Sequence, residues 1–368
     1  MGAPAGTRIR EARLSDHEAI AALLARNGIN PRNREEWEHL WVNNPVYRRL
    51  NNWAIGWVAE NPQRGILGYV GNIPLSFVFR GREVITNCGH SLAVDVDRRG
   101  SAASLQRRAL NYRLSEMATA TTANPNSYRL LEAGRMLRVP AGAWDRAAFW
   151  DTDYRGFLAS GLSKRGWPKI MATPAAAVLT LKDKLTGGNS WVRQNVRPVQ
   201  ICSSFDERFD QFWVELQRTY PERFLANRSR DVLQWHFKYA LARKRAWIIT
   251  AMDGSRLAAY AVFSRRDVAE HSLRRLQLVD YQSLNDDPKP LVSMLAWGMG
   301  HCREEGLHVL EAFGFRTEKQ AVIDKLATYH RQLPSWWYYY KPVNKTLGLE
   351  LQTPSIWDPS HYDGDPSL

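Results

Sequence analysis

The sequence predicts an α+β fold of two domains, each built from a mixed, mostly antiparallel sheet flanked by helices. The chain has 368 residues, beyond the size at which a single hydrophobic core usually stops growing. Hydrophobic residues make up 44% of it and charged residues 24%, as in ordinary globular proteins. Strand and helix patterns recur in the same order in the two halves. We therefore place the domains at residues 1–190 and 191–368.

The first half starts with a strand and a helix and continues as a run of strands. Residues 7–12 alternate apolar and polar side chains, as a half-buried strand does. Ser15 or Asp16 caps a helical pattern that runs to Leu24. Turn residues separate the elements that follow, which we predict as a helix at residues 34–41 and strands at residues 53–60, 65–73, 75–79 and 90–97.

The rest of the chain gives a similar series of elements. A long helix follows residue 97, then a strand at residues 117–123 and a short helix ending at Gly134. Residues 139–190 are mixed in character, with one helix at residues 154–162. The second half is predicted to contain a strand at residues 199–202, a helix at residues 205–218 and a buried aromatic strand at residues 336–340.

A faint internal repeat connects the two halves. WAIGWVAENPQRGILGYVG at residues 53–71 resembles AWIITAMDGSRLAAYAVFS at residues 246–264. The strand near Leu92 has a counterpart near Leu276, and each is followed by a helix. Because each copy is large enough for its own core, the repeat indicates a duplicated unit rather than a solenoid.

The charge balance favours anionic partners. Lys and Arg total 50 against 37 Asp and Glu, a formal charge of +13. Basic residues are scattered, however, and no nucleic-acid-binding module is recognisable. We therefore expect phosphorylated small molecules rather than nucleic acid.

The sequence has no pattern typical of a membrane, metal or disulfide site. No apolar run is long enough to span a bilayer, and the N-terminus lacks the apolar core of a signal peptide. Cys88, Cys202 and Cys302 lie far apart, without the spacing of a disulfide framework or of paired metal ligands. These features predict a cytoplasmic protein with no membrane partner and no metal. Its oligomeric state stays open.

One loop combines features that bind phosphate. It follows a strand and opens a helix, where backbone N–H groups without carbonyl partners form an anion site with the helix dipole. Small residues let a diphosphate approach the backbone, and guanidinium groups at the rim can bind its oxygens in pairs. The loop consists of Arg98, Arg99, Gly100, Ser101, Ala102 and Ala103. A glycine turn before a surface helix with solvated arginines is the alternative interpretation.

With the order of its elements, this loop resembles the GNAT superfamily of acyl-CoA-dependent acyltransferases. The acyl-CoA loop of that superfamily has Arg or Gln, then Arg-Gly, any residue, and Gly or Ala. Arg99-Gly100 and Ala102 match it, whereas Asp97 departs at the first position of the compared stretch. The second half resembles a GNAT copy without the loop, because its acidic segment QSLNDDPKP at residues 282–290 would repel a diphosphate.

The resemblance implies acetyl-CoA or another acyl-CoA as co-substrate and a GNAT-type N-acyltransferase as the activity. The backbones of Val94 and Val96 would pair with the pantetheine arm, and the residues from Arg98 to Ala103 would bind the pyrophosphate. Asn124 would hold the cofactor from the other side. The acceptor would be an amine of a small molecule, sugar-linked or acidic, bound mainly by the second domain.

Three residues are candidates for the catalytic groups. Histidine side chains can act as general bases near neutral pH, and His90 lies on the strand leading into the loop, as does Asp95. The position at which many GNAT enzymes have an acidic Tyr holds Leu130, and Tyr128 is the nearest substitute. Core packing is an alternative role for both His90 and Tyr128. Cys88 shares a face with His90, which permits a thiol nucleophile.

Other interpretations of the chain stay open. The first is a Fem-type transferase, which resembles two GNAT units but takes an aminoacyl group from tRNA. The second is a GNAT-fold binding protein without catalysis, suggested by Leu130. The C-terminal Asp363-Gly364-Asp365 resembles the tails of some tandem GNAT-like bacterial proteins; it could bind a cation or a substrate amine, or form a simple turn.

Overall fold

A computed structural model describes residues 6–123, 127–186, 190–193, 198–333 and 337–368. The helices are α1 (His17–Arg26), α2 (Arg34–Val42), α3 (Pro45–Arg49), α4 (Gly100–Leu110), α5 (Tyr128–Ala133), α6 (Tyr154–Lys164), α7 (Ala172–Thr186), α8 (Glu207–Thr219), α9 (Arg230–Ala242), α10 (Pro288–Glu304), α11 (Thr317–Leu326) and α12 (Lys345–Glu350). The strands are β1 (Arg8–Glu11), β2 (Gly56–Asn61), β3 (Gly65–Phe79), β4 (Arg82–Val94), β5 (Met117–Ala123), β6 (Leu137–Arg138), β7 (Arg146–Asp151), β8 (Gln200–Cys202), β9 (Leu225–Ala226), β10 (Ala246–Asp253), β11 (Arg256–Arg265), β12 (Arg275–Ser283), β13 (Val309–Ala312), β14 (Tyr329–Gln332) and β15 (Trp337–Pro342).

These strands form two mixed sheets flanked by helices, which confirms the predicted fold class. Within the described residues, the first sheet has the order β1-β2-β3-β4-β5-β15-β6, with β9 beside β3. The second has the order β14-β7-β13-β12-β11-β10-β8. In each sheet one parallel pair, β4 with β5 and β12 with β13, is joined through a helix, α4 or α10. The order of elements is therefore the same in both halves, as the internal repeat predicts.

The two sheets exchange strands across the predicted domain boundary. β7 precedes residue 190 but pairs with β13 and β14 in the second sheet. β15 follows residue 190 but pairs with β5 and β6 in the first sheet. Each exchanged strand covers the outer edge of a parallel strand, whose polar backbone groups would otherwise be unpaired. A cut at residue 190 therefore does not separate the two sheets.

The hydrophobic core is shared between the halves. One cluster of buried side chains includes Trp41 from α2, Phe77 from β3, Tyr260 from β11 and Trp357 from the C-terminal segment. The predicted aromatic strand is observed as β15, in which Tyr338, Tyr339 and Tyr340 are buried. Among the described residues, no helix is both long and apolar enough to cross a membrane.

Several predicted element boundaries are wrong. The predicted break at Pro74 does not occur, and β3 is continuous. The carbonyl oxygen of Pro74 accepts a hydrogen bond from Asn44 and therefore points away from β4. In a strand the nitrogen and oxygen of one residue point to the same side, so the ring nitrogen of Pro74 also points away from β4, where the sheet needs no N–H donor. The strand predicted to end at residue 97 ends at Val94, and residues 96–98 form a 3₁₀ turn. β7 and α7 were not predicted, because the sequence between residues 139 and 190 has no clear period.

Candidate functional site

The central parallel pair of the first sheet opens into a gap. β4 and β5 are paired only where Thr86, Asn87 and Cys88 face Met117, Ala118 and Thr119. Beyond Cys88 both strands continue, but no further pairs join them. The backbone groups that line this gap are therefore available to a ligand.

A β-bulge changes the direction of β4 inside the gap. Tyr69 pairs with Ala93 and Gly71 with His90, so Val70 alone faces two residues of β4. One of the two is Ser91, with a left-handed φ of 52° that a non-glycine residue rarely adopts. Because of the bulge, the side chains of the consecutive residues His90 and Ser91 line the same cavity, which regular alternation would forbid.

The cavity between β4, β5, α4 and α5 has a volume of about 270 Å³. Its wall is mainly apolar, with Leu92, Leu110, Ala123 and Leu131 among the lining residues. A few polar groups converge on it, which is typical of a small-molecule site.

The amide of Gln106 in α4 is one of these polar groups. Its side chain is only 5% exposed, and neither its nitrogen nor its oxygen has a hydrogen-bond partner within the described part of the chain. A buried amide without partners costs about 1–3 kcal/mol. A ligand with amide groups, bound in the cavity, would remove this cost.

Two further polar residues, His90 and Ser91, belong to a hydrogen-bonded chain at the cavity wall. His90 Nδ1 lies 3.0 Å from Asp365 Oδ2, and His90 Nε2 lies 2.9 Å from Ser91 Oγ. Both His90 and Asp365 have little exposed side-chain surface, 12% and 7%. A carboxylate that orients an imidazole in this way also stabilises its protonated form.

The surroundings of Asp365 keep it ionised. Burial by itself would raise the pKa of this carboxyl, but hydrogen bonds with His90, Thr121 and Thr122 outweigh burial and hold the pKa below its usual value. Thr121 Oγ1 donates to Asp365 Oδ1 at 2.9 Å, and Thr122 Oγ1 donates to the same oxygen at 3.2 Å. Asp365 therefore provides a negative charge beside His90 at neutral pH.

The C-terminal segment that carries Asp365 is held by buried contacts. Arg228 donates to Asp280 through two nitrogens, each at 2.9 Å, and to Asp363 at 3.1 Å. Gly364 passes so close to β5 that an added Cβ would lie 2.1 Å from Thr121 Oγ1. Asp363 and Asp365 thus serve different contacts, one anchoring the segment and the other facing His90.

The predicted phosphate loop lies at the N-terminus of α4. The helix starts at Gly100, where an added Cβ would meet nothing within 4 Å. Ser101 is buried, and its hydroxyl has no hydrogen-bond partner. Arg98 lies 3.6 Å from Asp97, whose carboxylate also accepts from Arg64 at 2.6 Å, whereas Arg99 is exposed. Ala102 and Ala103 continue the first turn of α4, so this turn carries only small side chains.

The backbone of Val94 faces the gap. Val94 lies opposite Gly68, and the next residue, Asp95, donates its N–H to Leu67 O at 2.9 Å. Because bonded and non-bonded pairs alternate in an antiparallel ladder, the N–H and C=O of Val94 point away from β3. Val96 differs from the prediction, because it lies in the 3₁₀ turn after β4 and its side chain is 72% exposed.

Three sequence candidates, Asp95, Tyr128 and Cys88, do not line the cavity. Asp95 accepts two hydrogen bonds from Arg26, at 2.8 and 3.0 Å, and so joins α1 to the end of β4. The ring of Tyr128 packs against a hydrophobic cluster, and its hydroxyl accepts from Arg129. Asn124 lies outside the described residues. Cys88 is fully buried, and burial raises the pKa of its thiol, which makes it a poor nucleophile.

Sequence analysis missed two residues of the site, Asp365 and Gln106. Asp365 was considered as a group for a cation or a substrate amine, or as part of a turn, but not as the partner of His90, because 275 residues separate them and nothing local connects them. Gln106 occupies a helical position at which a polar residue is ordinary.

The equivalent gap in the second sheet is filled. β12 and β13 pair only from Arg275 to Gln277 and then diverge. There Lys319 donates to Tyr281 O at 3.0 Å and to Asp358 Oδ1 at 2.7 Å. Asp287 caps α10 by accepting from the Lys289 N–H, so this helix start already faces a carboxylate. The first sheet alone keeps its gap open among the described residues.

Comparisons with known proteins identify the fold. No protein-family model matches the sequence, and no curated protein matches it. A GCN5-related N-acetyltransferase from Anabaena variabilis is 10% identical, with a TM-score of 0.55 over 92% of this chain and 73% of that one. N-myristoyltransferase from Saccharomyces cerevisiae, with bound myristoyl-CoA, is 11% identical, with a TM-score of 0.58 over 93% and 80%. A GCN5-related N-acetyltransferase from Kribbella flavida is 11% identical, with a TM-score of 0.54 over 91% and 72%. The predicted resemblance is confirmed at the level of the fold.

Proposed function

From this GNAT fold, we propose that the protein is an acyl-CoA-dependent N-acyltransferase. The observation that carries the proposal is the cavity between the diverging strands β4 and β5, which combines the start of α4 with the chain Ser91–His90–Asp365. The solved structure of yeast N-myristoyltransferase contains myristoyl-CoA, which supports acyl-CoA as the co-substrate here.

The chain offers a separate group for each part of acyl-CoA. The start of α4, with Gly100, Ser101 and the guanidinium of Arg99, would hold the diphosphate. The backbone of Val94 and the amide of Gln106 would pair with the pantetheine amides. Asn124 stays a proposed contact on the opposite side. The thioester supplies the activated acyl group.

The proposed reaction is a direct attack of the acceptor amine on the thioester carbonyl. Ser91 accepts a proton from the amine and passes its own to His90, whose cationic form the Asp365 carboxylate stabilises. A C–N bond forms and the C–S bond breaks. His90 then returns the proton, through Ser91, to the sulfur of CoA. Asp95 and Tyr128 have no part in this scheme, since neither lines the cavity.

The acyl group that we propose first is acetyl, and the acceptor is a small-molecule amine. A titration calorimetry experiment with acetyl-CoA and CoA tests the binding step. We expect saturable binding to the wild type and at least a tenfold loss for Gly100→Leu, because the added side chain would occupy the space of the diphosphate. It should leave the melting temperature nearly unchanged, since nothing lies within 4 Å of an added Cβ.

Gly300→Leu in α10 is the matched control, because an added Cβ at Gly300 also meets nothing within 4 Å. It should bind acetyl-CoA like the wild type. Equal affinities of the two variants, or no binding at millimolar acetyl-CoA, would contradict the proposal. Release of the CoA thiol in the presence of amine acceptors then measures turnover. Binding without turnover on any amine would favour the non-catalytic alternative.

A further inference from the structure

Two neighbouring cavities on the other side of the C-terminal segment form a basic cleft. Their volumes are about 330 and 430 Å³, and Arg266 and Arg275 line both. Among the described residues, the cleft has two lining acidic side chains, Glu36 and Asp267, and Leu368 also lines it, with its backbone oxygen accepting from Arg32 at 2.8 Å. Its cationic lining residues are Arg32, Lys164, Arg243, Arg245, Arg265, Arg266, Arg275 and Arg331.

The carboxylates near the cleft do not balance these cations. Glu36 accepts a hydrogen bond from Arg243, and Asp267 accepts one from Arg265 at 2.8 Å. The buried Glu311 serves two guanidinium groups at once, Arg275 at 3.1 Å and Arg331. The larger cavity has no carboxylate in its described wall.

Arg266 is a poorly compensated cation of the cleft. Its Nε is shielded from solvent and has no hydrogen-bond partner among the described residues, and its backbone oxygen accepts from Arg275, which brings a second guanidinium close. Burial, reinforced by Arg275, Arg245 and Arg32, lowers the pKa of Arg266 to about 10. The charge of Asp365 offsets only part of this effect, so the enclosed guanidinium is costly for the folded chain, and an anion in the cleft would reduce that cost.

The C-terminal segment connects the cleft with the acyl cavity. Asp365 lines the acyl cavity, Pro366 lines the larger part of the cleft, and Ser367 lines the smaller part. Consecutive residues of one tightly turned segment thus line both sites. The cleft and the cavity that contains His90 are therefore separated by only one or two residues of this segment.

We infer that this cleft binds the phosphate or diphosphate group of a small amine-bearing acceptor, with Arg266 and Arg275 as its main contacts. Several guanidinium groups around an enclosed space suit a dianion with three or more oxygens, since each group binds two oxygens at once. The enclosure favours a small molecule over a polymer. That this ligand is the acceptor rests on the proposed function, whereas the anion site does not.

Titration calorimetry with sodium pyrophosphate tests the anion site. All titrations use a Gly100→Leu background, so that the start of α4 does not contribute. We expect saturable binding in this background and at least a tenfold weaker affinity once Arg266→Met is added. Arg256→Met is the control, because Arg256 is exposed and pairs with Glu215 on another surface. It should leave the affinity within about twofold.

Arg266→Met should not lower the melting temperature, because it removes a cation that has no carboxylate partner. Lys164→Met changes an exposed residue of the same cleft, so its effect on pyrophosphate binding does not depend on buried packing. It should weaken the affinity for pyrophosphate about threefold. The same affinity with and without Arg266 would overturn the inference. So would displacement of pyrophosphate by bulk tRNA at physiological salt, which would indicate a polymer. Failure of the proposed function appears separately, as absence of acetyl-CoA binding to the wild type.

Discussion

Asp365 of the C-terminal segment forms a 3.0 Å hydrogen-bonded pair with His90 at a bulge of the first sheet, although 275 residues separate them in sequence. The contact depends on the path of the segment between the two halves. Ser91 extends it into the cavity between β4 and β5. This relationship leads to the first two predictions.

Asp365→Asn should reduce turnover while leaving acyl-CoA binding intact. The amide has nearly the same shape but cannot stabilise a protonated His90, so we expect kcat to fall about 100-fold or more. The dissociation constant for acetyl-CoA should change less than threefold. Steady-state kinetics and calorimetry measure the two effects. Asp253→Asn, at an exposed end of β10, is the control, and an Asp365→Asn enzyme with wild-type kcat would exclude His90 as the base.

Gly364→Ala should displace Asp365 without changing any functional group. The new methyl would lie 2.1 Å from Thr121 Oγ1, so the segment must move away from β5. We expect a loss of kcat similar to that of Asp365→Asn, with stability lower by about 1–3 kcal/mol. Urea unfolding and kinetics measure both. Gly300→Ala, in open space, should change neither, and an unaffected Gly364→Ala enzyme would show that the position of the segment is unimportant.

Gln106→Leu should stabilise the free protein and weaken CoA binding. Removing a buried amide without partners should raise the melting temperature by about 2 °C or more. The affinity for CoA should fall roughly tenfold, because one contact to the pantetheine arm is lost. The affinity for adenosine 3′,5′-bisphosphate, which lacks this arm, should stay the same. A parallel loss for both ligands would contradict the placement of pantetheine beside Gln106.

Asp151→Asn should stabilise the protein relative to the wild type, and this gain in the free energy of unfolding should be larger at alkaline pH than at acidic pH. Burial, with Asp183, Asp153 and Glu311 nearby, raises the pKa of Asp151 to about 7. The folded protein therefore binds this proton more tightly than the unfolded chain, and the wild type loses stability as the pH rises from about 4 to about 7. The variant lacks this loss.

Urea unfolding at pH 5 and pH 8 measures the difference between Asp151→Asn and the wild type. We expect the advantage of the variant to grow on the order of 2 kcal/mol between the two pH values. Asp253→Asn, which is exposed, should show no such change. An advantage that is constant with pH would mean that Asp151 does not titrate in this range.

Much of the fold was predictable because it depends on local patterns. The alternation in β1, the helical pattern of α2 and the loop before α4 were each visible in a few adjacent residues. The misplaced elements depend on distant partners. Pro74 stays within a strand because Asn44 bonds its oxygen, and β7 forms a strand because β13 and β14 lie on either side.

The candidate site divides in the same way. The helix start near Gly100 followed from the motif, since backbone amides and small side chains act locally, whereas Val94 was named only because of the resemblance to GNAT enzymes. Asp95 was chosen by alternation along a strand, but Arg26 pairs with it from another helix. The partner of His90, Asp365, lies in the C-terminal segment, which contacts β5 through Thr121.

The sequence by itself determined the α+β class, the repeated order of elements and the loop suited to a diphosphate, because all three depend on spacing along the chain. The tertiary structure decided which strands cross between the sheets, which of the two gaps stays open, and which carboxylate meets His90. Those outcomes depend on contacts between residues hundreds of positions apart, and such contacts form only when the packed core fixes the path of each segment.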